Sequence, residues 1–152
     1  PDDQHLWGFE LQYMLGDHLL VIPVTQPGGW VTICLPEGCW YDYFTGDKFE
    51  GGKTFTRQAP LDTIPLFVRD GAVIAEGPAV QHTGEIDETN RIEKIRVFGY
   101  PQHGALTHED DVLMSIESDS IELSFNSAIQ YEVYGADFED GHGVLRIVPM
   151  KT

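Results

Sequence analysis

The side chains best equipped for chemistry in this 152-residue chain are its acids: 25 Asp plus Glu, against 9 Lys plus Arg. Sugar hydrolysis commonly uses two carboxyl groups about 5 to 9.5 Å apart, in environments that push their pKa values apart. Most acids here lie in turns or alternate with apolar residues, where they would face solvent, so no working catalytic pair is expected within the chain. The densest cluster is His108-Glu109-Asp110-Asp111. Neighbouring oxygens of this kind could hold Ca²⁺ in a loop. The spaced Asp-x-Asp-x-Asp-Gly pattern is missing, and an acidic turn between strands accounts for the same residues. His5, His18, His82, His103, His108 and His142 show neither His-Glu-x-x-His spacing nor a close grouping with cysteine, which argues against zinc. Ser115, Ser118, Ser120, Ser124 and Ser127 lack the Gly-x-Ser-x-Gly elbow of hydrolases. Gly28-Gly29 and Gly51-Gly52 are turn glycines, and neither is a phosphate loop of the Gly-x-x-x-x-Gly-Lys type.

Trp40-Tyr41-Asp42-Tyr43-Phe44 admits two readings. Exposed rings could stack on sugars. Alternatively, strand alternation sends Trp40, Asp42 and Phe44 to one face and Tyr41 and Tyr43 to the other, so both sets could be buried without a ligand. Cys34 and Cys39 flank a Leu-Pro-Glu-Gly turn; they could bridge it or stand as two separate thiols, and the redox compartment stays open.

The elements that must position these groups change character along the chain. Leu6, Phe9, Tyr13 and Met14 recur at helical spacing, with Asp2 and Asp3 before them and Gly16 after, which predicts a helix over 3–15. The run from His18 to Val24 predicts a strand buried on both faces, as in a parallel sheet covered by helices. After Pro27-Gly28-Gly29, short β-rich runs follow: 30–35, 39–45, 53–58, 66–69 and 72–75, then 94–98, 104–108, 112–117, 121–125, 128–134 and 144–148. Turn signals separate them, which predicts an antiparallel sandwich. The polar, acidic stretch 79–90 reads as a loop or linker.

The net charge of −16 opposes nucleic acid and anionic membranes alike and leaves neutral partners such as sugars open. No apolar run approaches the about 20 residues of a membrane helix. The N-terminal Pro1-Asp2-Asp3-Gln4 is neither a signal peptide nor headed by Met, so the chain is expected to be cut from something longer.

The wording of the first half resembles glycoside hydrolase family 31. Gln12-Tyr13-Met14-Leu15-Gly16-Asp17-His18-Leu19-Leu20-Val21-Ile22-Pro23-Val24 is similar to the segment that closes that family's catalytic barrel. In the family's order follow Leu35-Pro36-Glu37-Gly38-Cys39-Trp40-Tyr41-Asp42, Thr45-Gly46, Gly51-Gly52, Ala59-Pro60-Leu61-Asp62 and Ile64-Pro65-Leu66-Phe67-Val68-Arg69 with Gly71. Together they span about residues 3–77. Phe98-Gly99-Tyr100-Pro101 with His108-Glu109-Asp110-Asp111 resembles a distal-domain pattern, with Val112 where that pattern has Gly.

The resemblance implies a mainly β chain: an antiparallel β-sandwich after the last helix and strand of a truncated (β/α)8 barrel, with a second small β-domain. Residues 1–26 would end the barrel, 27–78 form the proximal sandwich, 79–90 link, and 91–152 add a distal β-domain or complete the sandwich. Family members are retaining α-glycosidases, chiefly α-glucosidases and α-xylosidases. Their nucleophile and acid/base aspartates lie on earlier barrel strands, so no catalytic residue is carried over; Asp17 and Asp42 match family positions and read as structural. The fragment alone is expected to be inactive and to need no metal or organic cofactor. Its partners would be the parent's own barrel and, for the parent, a neutral glycoside; its exposed barrel-facing surface would self-associate. A rival reading is a stand-alone carbohydrate-binding module using Trp30, Trp40, Tyr41 or Tyr43 as stacking platforms. A third is a scaffold or interaction domain.

Overall fold

A computed structural model of the chain describes residues 11–79, 81, 83–85, 92–101, 113–116, 120–126, 128–141 and 144–149. The chain divides into two compact units, residues 1–70 and 71–152. The described residues are mainly β, with short 3-10 turns at Pro27–Gly29 and Thr83–Glu85. No helix among them is long and apolar enough to cross a membrane.

The first unit holds β1 (Tyr13–Leu15), β2 (Leu19–Val21), β3 (Trp30–Leu35), β4 (Cys39–Asp42), β5 (Lys48–Glu50), β6 (Lys53–Gln58) and β7 (Leu66–Arg69). One sheet runs β1-β2-β7-β4-β5 and the other is the pair β3-β6. Every pairing is antiparallel. Alternation along each strand turns one set of side chains inward. Leu20, Ile22, Trp40 and Phe67 from the larger sheet meet Ile33 and Leu35 of β3 in one core. Phe49 and Phe55 stack across it at 5.6 Å, and Phe67 meets both edge-on at 5.4 and 6.1 Å. Such ring pairs add about 0.5–1.5 kcal/mol each beyond area burial.

The second unit holds β8 (Ala72–Glu76), β9 (Lys94–Phe98), β10 (Leu113–Ile116), β11 (Ile121–Ser124), β12 (Gln130–Tyr134), β13 (Asp137–Gly141) and β14 (Val144–Val148). Its sheets are β12-β9-β8 and β10-β11-β14-β13. Val73, Ile95 and Val97 from the first pack with Ile121, Leu123, Leu145 and Ile147 from the second. The pairing of β12 with β9 is parallel, an exception to the antiparallel expectation.

Two expectations need correction. The helix expected over 3–15 is not formed where it is described: Tyr13–Leu15 is a strand, paired Tyr13 with Val21 and Leu15 with Leu19. Gly16, at φ 68°, turns this hairpin rather than ending a helix. The strand expected to be parallel is antiparallel on both sides, with Leu20 opposite Met14 and Phe67. β2 therefore belongs to the same sheet as β4 and β7, not to a helix-covered parallel one. The acidic stretch 79–90 was expected as a linker or loop. It lies between β8 and β9, neighbours in one sheet, and the division falls at Asp70–Gly71. Residues 1–10, the strand expected at 104–108 and the cluster 108–111 lie outside the described residues.

Candidate functional site

Among the described acids, Asp42 is buried, and its partners account for both oxygens. The backbone N–H groups of Phe44 and Thr45 donate to Oδ1 at 2.9 and 3.1 Å. Arg57 Nη1 donates to Oδ2 at 2.6 Å. The turn after β4 thus receives its cap from Asp42, and the strand geometry ends there. The guanidinium of Arg57 lies 5.6 Å over Phe49 and 5.3 Å over Phe67, a cationic face on aromatic rings. Asp17 sits exposed in the β1–β2 turn.

The aromatic cluster is packed inside. Trp40, Tyr41 and Tyr43 are buried, and Phe44 is exposed. Trp40 donates its indole N–H to Pro36 O at 2.9 Å and carries Arg69 at 4.8 Å over its ring. Trp40, Tyr41 and Tyr43 are therefore not sugar platforms, which corrects the rival reading for three of its four residues. Burial, with Asp70 beside the hydroxyl, pushes the Tyr41 phenol up to about 12. Cys34 is buried, Cys39 is partly exposed, and they form no disulfide.

Trp30 is different: it is 53% exposed. The Pro27–Gly29 turn positions it, helped by Gly28 at φ 84° and Gly29 at φ 79°. A Cβ on Gly29 would stand 2.4 Å from Ala59 O, so only glycine lets the start of β3 approach the end of β6. Ala59 N–H donates to Gly29 O at 2.9 Å, and Gln58 Nε2 donates to Gly28 O at 2.8 Å.

Two clefts open on this side of the first unit. One, of about 400 Å³, includes Leu11, Thr25, Gln26, Trp30, Thr32 and Thr56 in its wall. The other, of about 810 Å³, includes Pro23, Val24, Pro27, Pro60, Leu61 and Ile64. No ionised side chain is among the described residues of either wall. Leu61 and Ile64 are largely exposed, as are Tyr13 and Leu15 on the edge strand β1. The signal for Leu61 and Ile64 was present in the sequence as large apolar residues inside a Pro-rich turn.

The second unit carries a polar network. Lys94 Nζ donates to Glu132 Oε1 at 2.6 Å, Tyr134 Oη donates to Oε2 at 2.5 Å, and Arg96 stands 3.5 Å from Oε2. The hydrogen bond from Lys94, then that from Tyr134, holds the Glu132 carboxyl below its ordinary range. Burial, then Glu132, raises the Tyr134 phenol. A hydrogen bond to Asp140 raises that of Tyr131. Among the described residues no group of three His, Cys, Asp or Glu is arranged to hold a metal.

Comparison with known proteins places these features in context. Residues 1–74 match the family model described as the glycosyl hydrolase family 31 C-terminal domain. An alpha-xylosidase of Saccharolobus solfataricus is 48% identical over 75 residues, which is 48% of this chain and 10% of that protein. A probable alpha/beta-glucosidase of Arthroderma benhamiae is 31% identical over 153 residues, covering 97% of this chain and 16% of the relative. The chain thus spans a tenth to a sixth of the length of these curated relatives. Among solved structures, the GH31 dextranase of Flavobacterium johnsoniae in complex with glucose superposes on 98% of this chain and 26% of its own, at TM-score 0.63 and 18% identity, a likeness of fold.

Proposed function

We propose that this chain, whose residues 1–74 belong to the glycosyl hydrolase family 31 C-terminal domain, is the non-catalytic supporting region of a retaining α-glycosidase. The parent enzyme removes terminal α-linked glucose or xylose through a covalent glycosyl-enzyme intermediate that water hydrolyses. The catalytic aspartates and the (β/α)8 barrel that carries them lie outside these 152 residues. The substrate is a neutral glycoside, in keeping with a net charge of −16. Nucleic acid and anionic membranes are not partners, for the same electrostatic reason.

The observation that carries this reading is the state of Asp42. It is a buried acid of the family-matching half, and its oxygens are taken up by Phe44, Thr45 and Arg57. A carboxylate so engaged caps a turn and pairs a cation; it is not free to attack or to shuttle a proton. The support role rests on exposed apolar surface at Tyr13, Leu15, Leu61 and Ile64. Covering such side chains contributes roughly 25 cal/mol per Å², enough for the barrel to hold this region and be held by it.

The test is hydrolysis of aryl α-glucoside and aryl α-xyloside by the 152-residue chain beside the parent enzyme. Turnover is expected from the parent alone. Turnover by the chain itself would place the chemistry within it, with Glu109, Asp110 and Asp111 the first residues to replace. Light scattering is expected to show self-association of the isolated chain, relieved by Leu61→Ser with Ile64→Ser.

A further inference from the structure

The geometry around Trp30 points to a second sugar site, a non-catalytic cleft on the first unit that takes one or two neutral pyranose rings. A pyranose has two kinds of surface: C–H faces that are apolar, and a rim of hydroxyls that donate and accept. A site for it combines an accessible aromatic face with uncharged hydrogen-bonding groups. The cleft beside Trp30 has both. The indole is 53% exposed, and the wall adds the carboxamide of Gln26 and the hydroxyls of Thr25, Thr32 and Thr56.

The ligand class follows from what the cleft holds and what it lacks. No cation lies among the described wall residues of a chain with net charge −16, so a phosphate or uronate has nothing to pair with and a field to oppose it. A volume of about 400 Å³ lies within the usual range for small-molecule sites and suits one or two sugar rings. A protein surface is the poorer occupant here. The side chains of Thr25, Gln26, Thr32 and Thr56 make no hydrogen bond with protein among the described residues, so an apolar partner would strand them, at a cost of about 1–3 kcal/mol per buried group. Sugar hydroxyls would satisfy them. The neighbouring cleft shares Pro23 and Gln26 with this one and adds Val24, Pro60, Leu61 and Ile64, of which Leu61 and Ile64 are largely exposed.

Trp30 is positioned for this task. The glycine turn before it fixes its backbone, and Thr32 and Thr56 are directly opposite each other in the β3–β6 register, two hydroxyls side by side in one wall. The inference goes beyond the support role and does not depend on where catalysis occurs.

The experiment is titration of the isotope-labelled 152-residue chain with glucose, xylose and isomaltotriose, following the indole N–H resonance of Trp30. A saturable shift is expected for the neutral sugars, and a response at least about tenfold weaker for glucuronate. Trp30→Ala is expected to weaken binding by about tenfold or more, while Trp30→Tyr, which keeps a ring, retains most of it. Absence of any saturable shift overturns the proposal. So does unchanged affinity in Trp30→Ala, or a shift confined to resonances away from Trp30, Thr32 and Thr56. Should Trp30→Ala lose its fold by circular dichroism, the paired Thr32→Val and Thr56→Val variant decides: weakened binding sustains the site, and undiminished binding removes it. Failure here leaves the hydrolysis experiment untouched, because that experiment reads the parent's turnover.

Discussion

Arg57 of β6 and Asp42 at the end of β4 meet at 2.6 Å, and that contact ties the two sheets of the first unit together. One carboxylate closes the turn after its own strand and also pairs with the opposite sheet. Arg57 adds its flat face to Phe49 and Phe67, so charge and packing converge on one residue.

Replacing Asp42 with Ala should therefore cost more than a surface ion pair does. It leaves the Phe44 and Thr45 amides without their acceptor and Arg57 without its counterion. A loss of about 3 kcal/mol is expected, the lower end for a broken buried pair because Arg57 is partly wet. Arg57→Lys should recover only part of the stability, since an ammonium lacks the planar face that covers the two rings. Urea unfolding followed by tryptophan fluorescence reads both; a change within about 0.5 kcal/mol for Asp42→Ala would refute the role.

Gly51 and Gly16 should respond very differently to alanine. A Cβ at Gly51 would stand 1.8 Å from Pro36 O and 2.6 Å from Gly38 O, both backbone atoms that the turn after β3 holds in place. At Gly16 nothing lies within 4 Å, and only its φ of 68° resists a side chain. Gly51→Ala is expected to unfold the first unit or cost more than about 4 kcal/mol, and Gly16→Ala about 1–2 kcal/mol. Thermal melts of the two variants, compared directly, check the order.

Acid should weaken the second unit through Glu132. Its carboxyl is held below its ordinary value of 4.5 by Lys94 and Tyr134. The folded form thus binds its proton less readily than the unfolded form. The stabilisation is complete above the unfolded value and disappears as the pH falls through the folded one. The melting temperature should fall below about pH 4.5, and Glu132→Gln should flatten that fall. The carboxylate is 38% exposed, so about 1 M salt should shrink the effect by screening.

Alkali should act on the first unit through Tyr41. Its phenol is raised to about 12 from 10.0, chiefly by burial and then by Asp70. The unfolded chain loses that proton first, so the contribution is complete below pH 10 and is lost as the pH rises through about 12. An ultraviolet titration should show the Tyr41 phenol ionising late, together with unfolding, beside the raised phenols of Tyr131 and Tyr134. Tyr41→Phe should remove the late step and delay the alkaline melt.

Local pattern specified the strands whose neighbours are also close in sequence or strongly alternating. The runs 30–35, 53–58, 66–69, 94–98 and 144–148 coincide with β3, β6, β7, β9 and β14. β5 and β13 were not legible. Lys48–Glu50 is three residues beside a turn, and Asp137–Gly141 is acidic and exposed; each is a strand because β4 or β14 offers it an open edge. The expected helix failed for a related reason. Tyr13 and Met14, two of the four residues that gave the helical spacing, are exposed, as are Leu11 and Leu15 beside them, so no core among the described residues enforces that spacing, whereas β2 offers a ladder. Exposure was hidden as well: Trp30 and Tyr41 look equivalent as strand aromatics, yet the one lines a cleft and the other is enclosed by β4's neighbours.

The carboxamide of Gln12 meets both backbone groups of Cys34. Its Nε2 donates to Cys34 O at 2.7 Å, and its Oε1 accepts from Cys34 N–H at 3.1 Å. Among the described residues β3 pairs with β6 on one side alone, so its other side would otherwise present an unfilled rung to any passing strand. One side chain impersonates the missing neighbour at the rung flanked by the buried Ile33 and Leu35. Gln12 thus stands in for a strand at that rung, and Gln12→Leu would uncover both backbone groups of Cys34.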